Sequence, residues 1–114
     1  MSLQILASAD ADVVAAVRAY DAKPGKYGKA LKAEFTAAVR AIAANPRINS
    51  PCEDGIAGHE FREFFIARFQ QRVIYLVRGD DVLVVAVVHA TQNEGAWHRK
   101  VPTDLLSPGT ETGT

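Results

Sequence analysis

The sequence predicts an α+β domain: a short N-terminal strand, an α-helical hairpin packed on one face of an antiparallel β-meander, and a short C-terminal segment. Two observations carry this. Between residues 13 and 42 lie two apolar stripes at helical spacing, separated by Lys23-Pro24-Gly25. Between residues 60 and 89 lie three β-prone runs, joined by connections too short for a crossover helix. At 114 residues the chain suits one domain with one core.

Each element has a local reason. Residues 3–7, LQILA, form a short extended segment. Ser8 and Asp10 then offer N-cap chemistry and negative charge at a helix start. Val13, Val14, Val17 and Tyr20 share one face of a helix of about three turns. A second helix is expected over 27–44, with Leu31, Phe35, Ala38, Val39 and Ile42 as its stripe. Asn45-Pro46 stops it, because a residue before proline avoids the α region. The connection is short, so the two helices form a hairpin. Residues 47–58 form a loop. Strands follow from about His59, over 72–77 and over 82–88, the last being apolar on both faces and therefore the best covered. Arg78-Gly79-Asp80-Asp81 is the turn between the last two. Two helices can cover only one face of the sheet. The other is expected to stay partly open, and function is to be sought there.

Composition narrows the function classes. Thirteen basic residues balance thirteen acidic ones, which argues against strong non-specific nucleic-acid binding but leaves room for a local basic patch. Lys23, Lys26, Lys29 and Lys32 read as a solvated helix face or part of a target surface. A single cysteine, Cys52, excludes an intrachain disulfide and favours an intracellular, cytoplasmic setting. Cys52 has no base beside it in sequence and reads as a loop thiol rather than a nucleophile. No run approaches the ~20 apolar residues of a membrane span, and the N-terminus does not resemble a secretory signal. Phosphate loops and nucleophile elbows are absent from the sequence. His59, His89, His98 and Cys52 lack ligand spacing, so neither a metal nor an organic cofactor is expected. The folded domain is placed at 1–101 and a tail at 102–114, where Pro, Gly and Thr accumulate.

Several features together are similar to the RelE/ParE superfamily of bacterial toxins, the plasmid-stabilisation proteins of type II toxin–antitoxin modules. They are Tyr20, Pro24-Gly25, Phe35 and ANP at 44–46 in the first half. In the second they are the pattern around Arg62, RFQQRVIYLV at 68–77, AVVHA at 86–90, and Trp97 two residues before Arg99. The resemblance spans residues 5–101 and is nearer the ParE-like branch. It implies a toxin that binds a cellular target, DNA gyrase being the family precedent, and is neutralised by a cognate antitoxin. Arg62, Arg72, His89, Trp97 and Arg99 are then the implied partner-binding residues. The alternative is a RelE-like ribosome-dependent mRNA endonuclease with Arg62, Arg72 and His89 as catalytic residues. A third reading is a degenerate member without toxicity. The chain departs from the family pattern at Gln70-Gln71, where many relatives have Pro-Tyr, and at Ala90-Thr91-Gln92, where many have arginine.

The residues bear unequally on these readings. An arginine such as Arg72 can stabilise charge on a transferring phosphate, but pairing with Glu60 or Glu63 on the neighbouring strand, or binding of the antitoxin, is the favoured reading. Arg62 is expected on the sheet face, held by a carboxylate. His89 suits acid–base work by its ordinary pKa of ~6.5, yet no tyrosine occurs after Tyr75 to complete an RNase site. Trp97 is expected to close the core. Residues 59–100 carry five Arg and one Lys against three Glu and two Asp, nearly neutral, which further weakens an RNA substrate.

Overall fold

A computed structural model describes residues 2–106. Strand β1 (Ser2–Ile5) leads directly into helix α1 (Ala7–Asp21), and helix α2 (Gly28–Ala44) follows. After a loop come β2 (Glu60–Ile66), β3 (Gln71–Arg78) and β4 (Asp81–His89). Two 3-10 turns, Ala96–Lys100 and Thr103–Leu106, complete the described residues. The sheet order is β1-β4-β3-β2; β2, β3 and β4 form the expected antiparallel meander, and β1 adds parallel to β4. The sheet is therefore mixed. A third 3-10 turn, Ala67–Phe69, joins β2 to β3 and ends at Gln70 with φ +55°. Gln70 stabilises that left-handed position by donating its side-chain amide to the Ala67 carbonyl at 2.8 Å.

Both helices lie on one face. Ala9 and Val13 of α1 join Leu31, Phe35, Ala38 and Ile42 of α2 over Val73, Tyr75, Val77, Val82, Val84 and Val87 of the sheet. The opposite face is not left open as expected. Phe61, Ile74, Leu76, Val85, Ala86 and Val88 are covered there by Trp97 and Val101, with Cys52, Ile56, Leu105 and Leu106 packed around them. A β-strand so apolar on both sides cannot face water, and the loop after α2 and the chain after β4 supply the second cover. The tail expected from residue 102 therefore starts inside the packed structure as far as Leu106; the remainder lies outside the described residues.

One irregularity sets the two-sided pattern. Register shifts between Ile74 and Tyr75, where Ile74 pairs with Ala86 but Tyr75 with Val84, leaving Val85 as an extra residue in β4. This bulge puts Val85 and Ala86 both in the second core, while Val84 and Val87 stay in the first. Beyond β1, helix α1 takes over the edge of β4. The Ser8 hydroxyl donates to the Val85 carbonyl at 2.7 Å, and Asp12 accepts the Val87 N–H at 2.9 Å. Asp12 also pairs with Lys100 at 2.5 Å. Ser8 is thus no N-cap. The cap position is Leu6, without a side-chain bond, because the chain enters the helix straight from β1. Asp10 does sit in the first turn, where its charge favours the helix dipole.

The hairpin is closed tightly at Gly28. Its N–H bonds the Asp21 carboxylate at 3.0 Å, and a Cβ there would meet Asp21 Oδ1 at 2.5 Å and the Val17 carbonyl at 2.6 Å. The Gly28→Ala protein is expected to lose about 1–3 kcal/mol, the range for overpacking a tight contact. Urea denaturation with unchanged m-value checks it.

Candidate functional site

The second face of the sheet gathers two of the residues singled out by the sequence, Arg72 and Trp97, around one that was not. Asp54, in the loop after α2, is 7% exposed. Its Oδ1 accepts Arg72 Nη2 at 2.6 Å, and its Oδ2 accepts Arg72 Nη1 at 3.2 Å, the Gly95 N–H at 2.9 Å and Trp97 Nε1 at 2.9 Å. His98 Nε2 donates to the Asp54 carbonyl at 2.5 Å. Arg72 is shared: its Nε and Nη2 also donate to Glu63 Oε1, at 3.2 and 2.7 Å. The register places Arg72 opposite Phe65 and Glu63 opposite Ile74, so the two side chains meet diagonally on one face.

Burial alone would raise the Asp54 carboxyl, but hydrogen bonds from Arg72, Gly95 and Trp97 outweigh it and hold the group well below its ordinary 3.8. The Asp54 hydrogen bonds, with help from Glu63, keep the Arg72 guanidinium firmly charged. Cys52 goes the other way: burial, assisted by the charge of Glu63, pushes its thiol from 9.0 up to about 12. At neutral pH it is a protonated, unreactive group, as a loop thiol without a base should be.

Cys52, Asp54 and Glu63 bring their ligand atoms within 4.8 Å of one another, the only such convergence among the described residues. A cation already occupies it. The Arg72 guanidinium lies 2.6 Å from Asp54 and 2.7 Å from Glu63, and a metal ion would have to displace it and deprotonate Cys52. The arrangement fits an internal ion pair better than a metal centre.

The other sequence candidates separate. Arg62 is held on the helix-hairpin side of β2, donating to Glu60 at 2.7 Å and to the Asn49 carbonyl at 2.6 Å. Glu60 also takes Arg47, and Arg62 is the larger cause of its lowered pKa. His89 is exposed at the end of β4, where Nδ1 accepts the Thr91 N–H at 3.2 Å and meets its hydroxyl at 2.8 Å. Among the described residues no hydrogen bond or ion pair joins His89 to Arg72 or Arg62. Arg99 is exposed. Trp97 is wholly buried, its ring 5.0 Å from Phe61 and 4.5 Å from His98. It closes the core of the second face.

A depression of about 430 Å³ opens beside Arg72, lined by Ser50, Pro51, Glu53, Asp54, Glu63, Ala90, Gln92 and Glu94. Four carboxylates against one already-paired guanidinium make it acidic. An anionic phosphodiester meets repulsion there rather than a clamp. Among the described residues, no helix is long and apolar enough to cross a membrane.

Breaking the central pair should be severe. Asp54 and Arg72 side chains are 4% and 14% exposed, so an unpaired charge would be stranded. Asp54→Asn is expected to lose about 3–5 kcal/mol. Trp97→Phe, which removes one donor to a charged acceptor, is expected to lose about 1.5–3 kcal/mol. The pH dependence has a definite sign. Asp54 is depressed in the folded state, so its contribution is complete above the unfolded pKa of about 3.8 and is lost as pH falls below it. Urea midpoints between pH 7 and pH 3 should fall more for the wild type than for Asp54→Asn.

Comparison with known proteins supplies the context for this geometry. Residues 3–94 match the family model described as the ParE toxin of the type II toxin–antitoxin system, parDE. Among curated proteins no match is found. A solved structure titled "Chromosomal ParDE TA system from P. aeruginosa" is similar in fold, with TM-score 0.63 and 22% identity over 78% of this chain and 95% of that one.

Proposed function

The chain belongs to the ParE toxin family of type II toxin–antitoxin systems, and from that premise we propose that it acts by binding a cellular protein, with DNA gyrase the target, and that a cognate antitoxin neutralises it. The observation that carries the reading is the state of Arg72. Four of its five N–H donors are taken by Asp54 and Glu63, and it borders a depression rich in carboxylates. Phosphodiester cleavage needs free positive charge at the phosphate and a positioned acid for the leaving oxygen. Here the guanidinium is engaged internally, and the one candidate acid, His89, is bonded to its neighbour Thr91. These features support action by binding rather than by cutting RNA.

Within this reading the proposed roles divide by exposure. His89 and Arg99 are the contacts for target or antitoxin, since both present their side chains to solvent. Arg62, Arg72 and Trp97 are positioning residues. Arg62 fixes the loop after α2 through Asn49, and Arg72 and Trp97 fix both covering segments through Asp54.

The test is induction of the toxin without antitoxin, with supercoiling by purified gyrase and primer extension on translated messages as readouts. The expected result is loss of supercoiling activity that persists in His89→Ala, without ribosome-dependent cuts. Cuts abolished by His89→Ala would replace this reading with the endonuclease. Inactivity in both assays would replace it with a member that retains only antitoxin binding. Arg99→Ala is expected to weaken partner binding while leaving stability within about 0.5 kcal/mol of wild type, as for an exposed side chain. Titration calorimetry against the antitoxin, beside a urea melt, separates the two effects.

A further inference from the structure

We propose that the tip of the helical hairpin is a docking surface for the phosphate backbone of duplex DNA. The inference goes beyond the gyrase reading and does not depend on it. Residues 18–33 carry Arg18, Lys23, Lys26, Lys29 and Lys32 against a single carboxylate, Asp21. That carboxylate is engaged by the Gly28 N–H. The zero net charge of the whole chain thus hides a division: the depression on the far face of the sheet holds Glu53, Asp54, Glu63 and Glu94, while the hairpin tip is cationic.

The tip also carries aromatic rings, and it recruits a cation from elsewhere in the chain. Arg68, in the turn between β2 and β3, stands 5.1 Å from the Phe69 ring and 5.9 Å from the Tyr27 ring. Lys23 lies 4.9 Å over Tyr20, whose ring packs edge-on against Phe69 at 5.1 Å. The Tyr27 ring presses on the Gly25 backbone so closely that a Cβ there would meet it at 2.4 Å. Lys26 adopts φ +49°, a left-handed conformation that an ordinary side chain avoids, at the apex of the turn. Lys23, Lys26, Lys29 and Arg68 are all exposed. Lys23 and Arg68, held over rings, lose less freedom than free side chains when they meet fixed anions.

The composition selects the partner. Protein interfaces are depleted in lysine, and their cores are apolar. This surface is built from lysines with Tyr27 as its one exposed aromatic, 48% accessible, among the described residues. Regularly spaced phosphates are the anion that such a surface fits.

The experiment is fluorescence anisotropy of the purified full chain with a labelled duplex, without gyrase, over a salt series. Binding at low salt is expected to weaken with a log–log slope of about −3, the value for three to four phosphate contacts. The triple variant Lys23→Glu, Lys26→Glu, Lys29→Glu should lose at least about tenfold in affinity. Circular dichroism confirms its fold, and the milder pair Lys26→Gln, Lys29→Gln, with a smaller loss, serves if it fails. Glu53→Gln with Glu94→Gln should bind DNA no more weakly than wild type. No binding at low salt, or binding unchanged by the lysine substitutions, overturns the proposal. So does displacement by polyaspartate as effective as by DNA at equal charge, which would assign the tip to an acidic protein surface.

Discussion

The buried pair of Asp54 and Arg72 holds together parts of the chain that are distant in sequence. Arg72 belongs to the middle of the meander, Asp54 to the loop after α2, and Gly95, Trp97 and His98 to the segment after β4; all converge on one aspartate. Neither covering segment has a helix or strand of useful length, so backbone bonds fix them only in part. A charged acceptor satisfied by several donors completes the fixing, because the Asp54 carboxylate is largely withdrawn from water. The desolvation of the two charges is offset by the number of bonds rather than by the pair alone. Glu63 takes two further donors of Arg72, so that four of the five guanidinium N–H groups have an acceptor.

That constraint explains how one sheet carries two cores. The helical hairpin covers the first face by ordinary stripe packing. The second face needs the Val85 bulge to turn two successive residues toward Trp97. It also needs the loop to stay in place over β2, where Pro51 bridges Arg62 and the Cys52 N–H bonds the Phe61 carbonyl at 2.9 Å. Tyr75 assists from beneath: its hydroxyl donates to the Pro46 carbonyl at 2.5 Å and accepts Asn49 at 3.1 Å. The loop is thus tied at both ends, and the edge of β2 is partly occupied by the protein's own chain, a common guard against unwanted pairing.

The same construction bears on activity. An arginine that fastens the fold is not free to serve a phosphate, and the carboxylates that fasten it make the adjoining depression acidic. On the opposite side of the sheet Lys23 of the hairpin and Arg68 of the neighbouring turn lie over aromatic rings instead of against carboxylates. Charge is sorted by face, which a count over the whole sequence averages to zero.

The sequence by itself determined the order of elements, because apolar period and turn residues act over a few neighbours. The two helix stripes, the Asn45-Pro46 stop and the Gly79 turn, with its φ of +57°, all stand where local chemistry put them. It also placed Trp97 in the core, as befits the one tryptophan. Pairing between Arg72 and Glu63 was legible as one alternative, since both fall on neighbouring strands. Only the tertiary structure decided that Asp54 would be the hub. Nothing in the local run Cys52-Glu53-Asp54-Gly55 tells a buried aspartate from a solvated one; the distinction is made by donors arriving from residues 72, 95 and 97. The parallel addition of β1, the use of Ser8 on a strand edge instead of a helix cap, and the closing of the second face have the same origin. Each depends on which distant segment comes to lie alongside, and that is set by the packing of the whole chain.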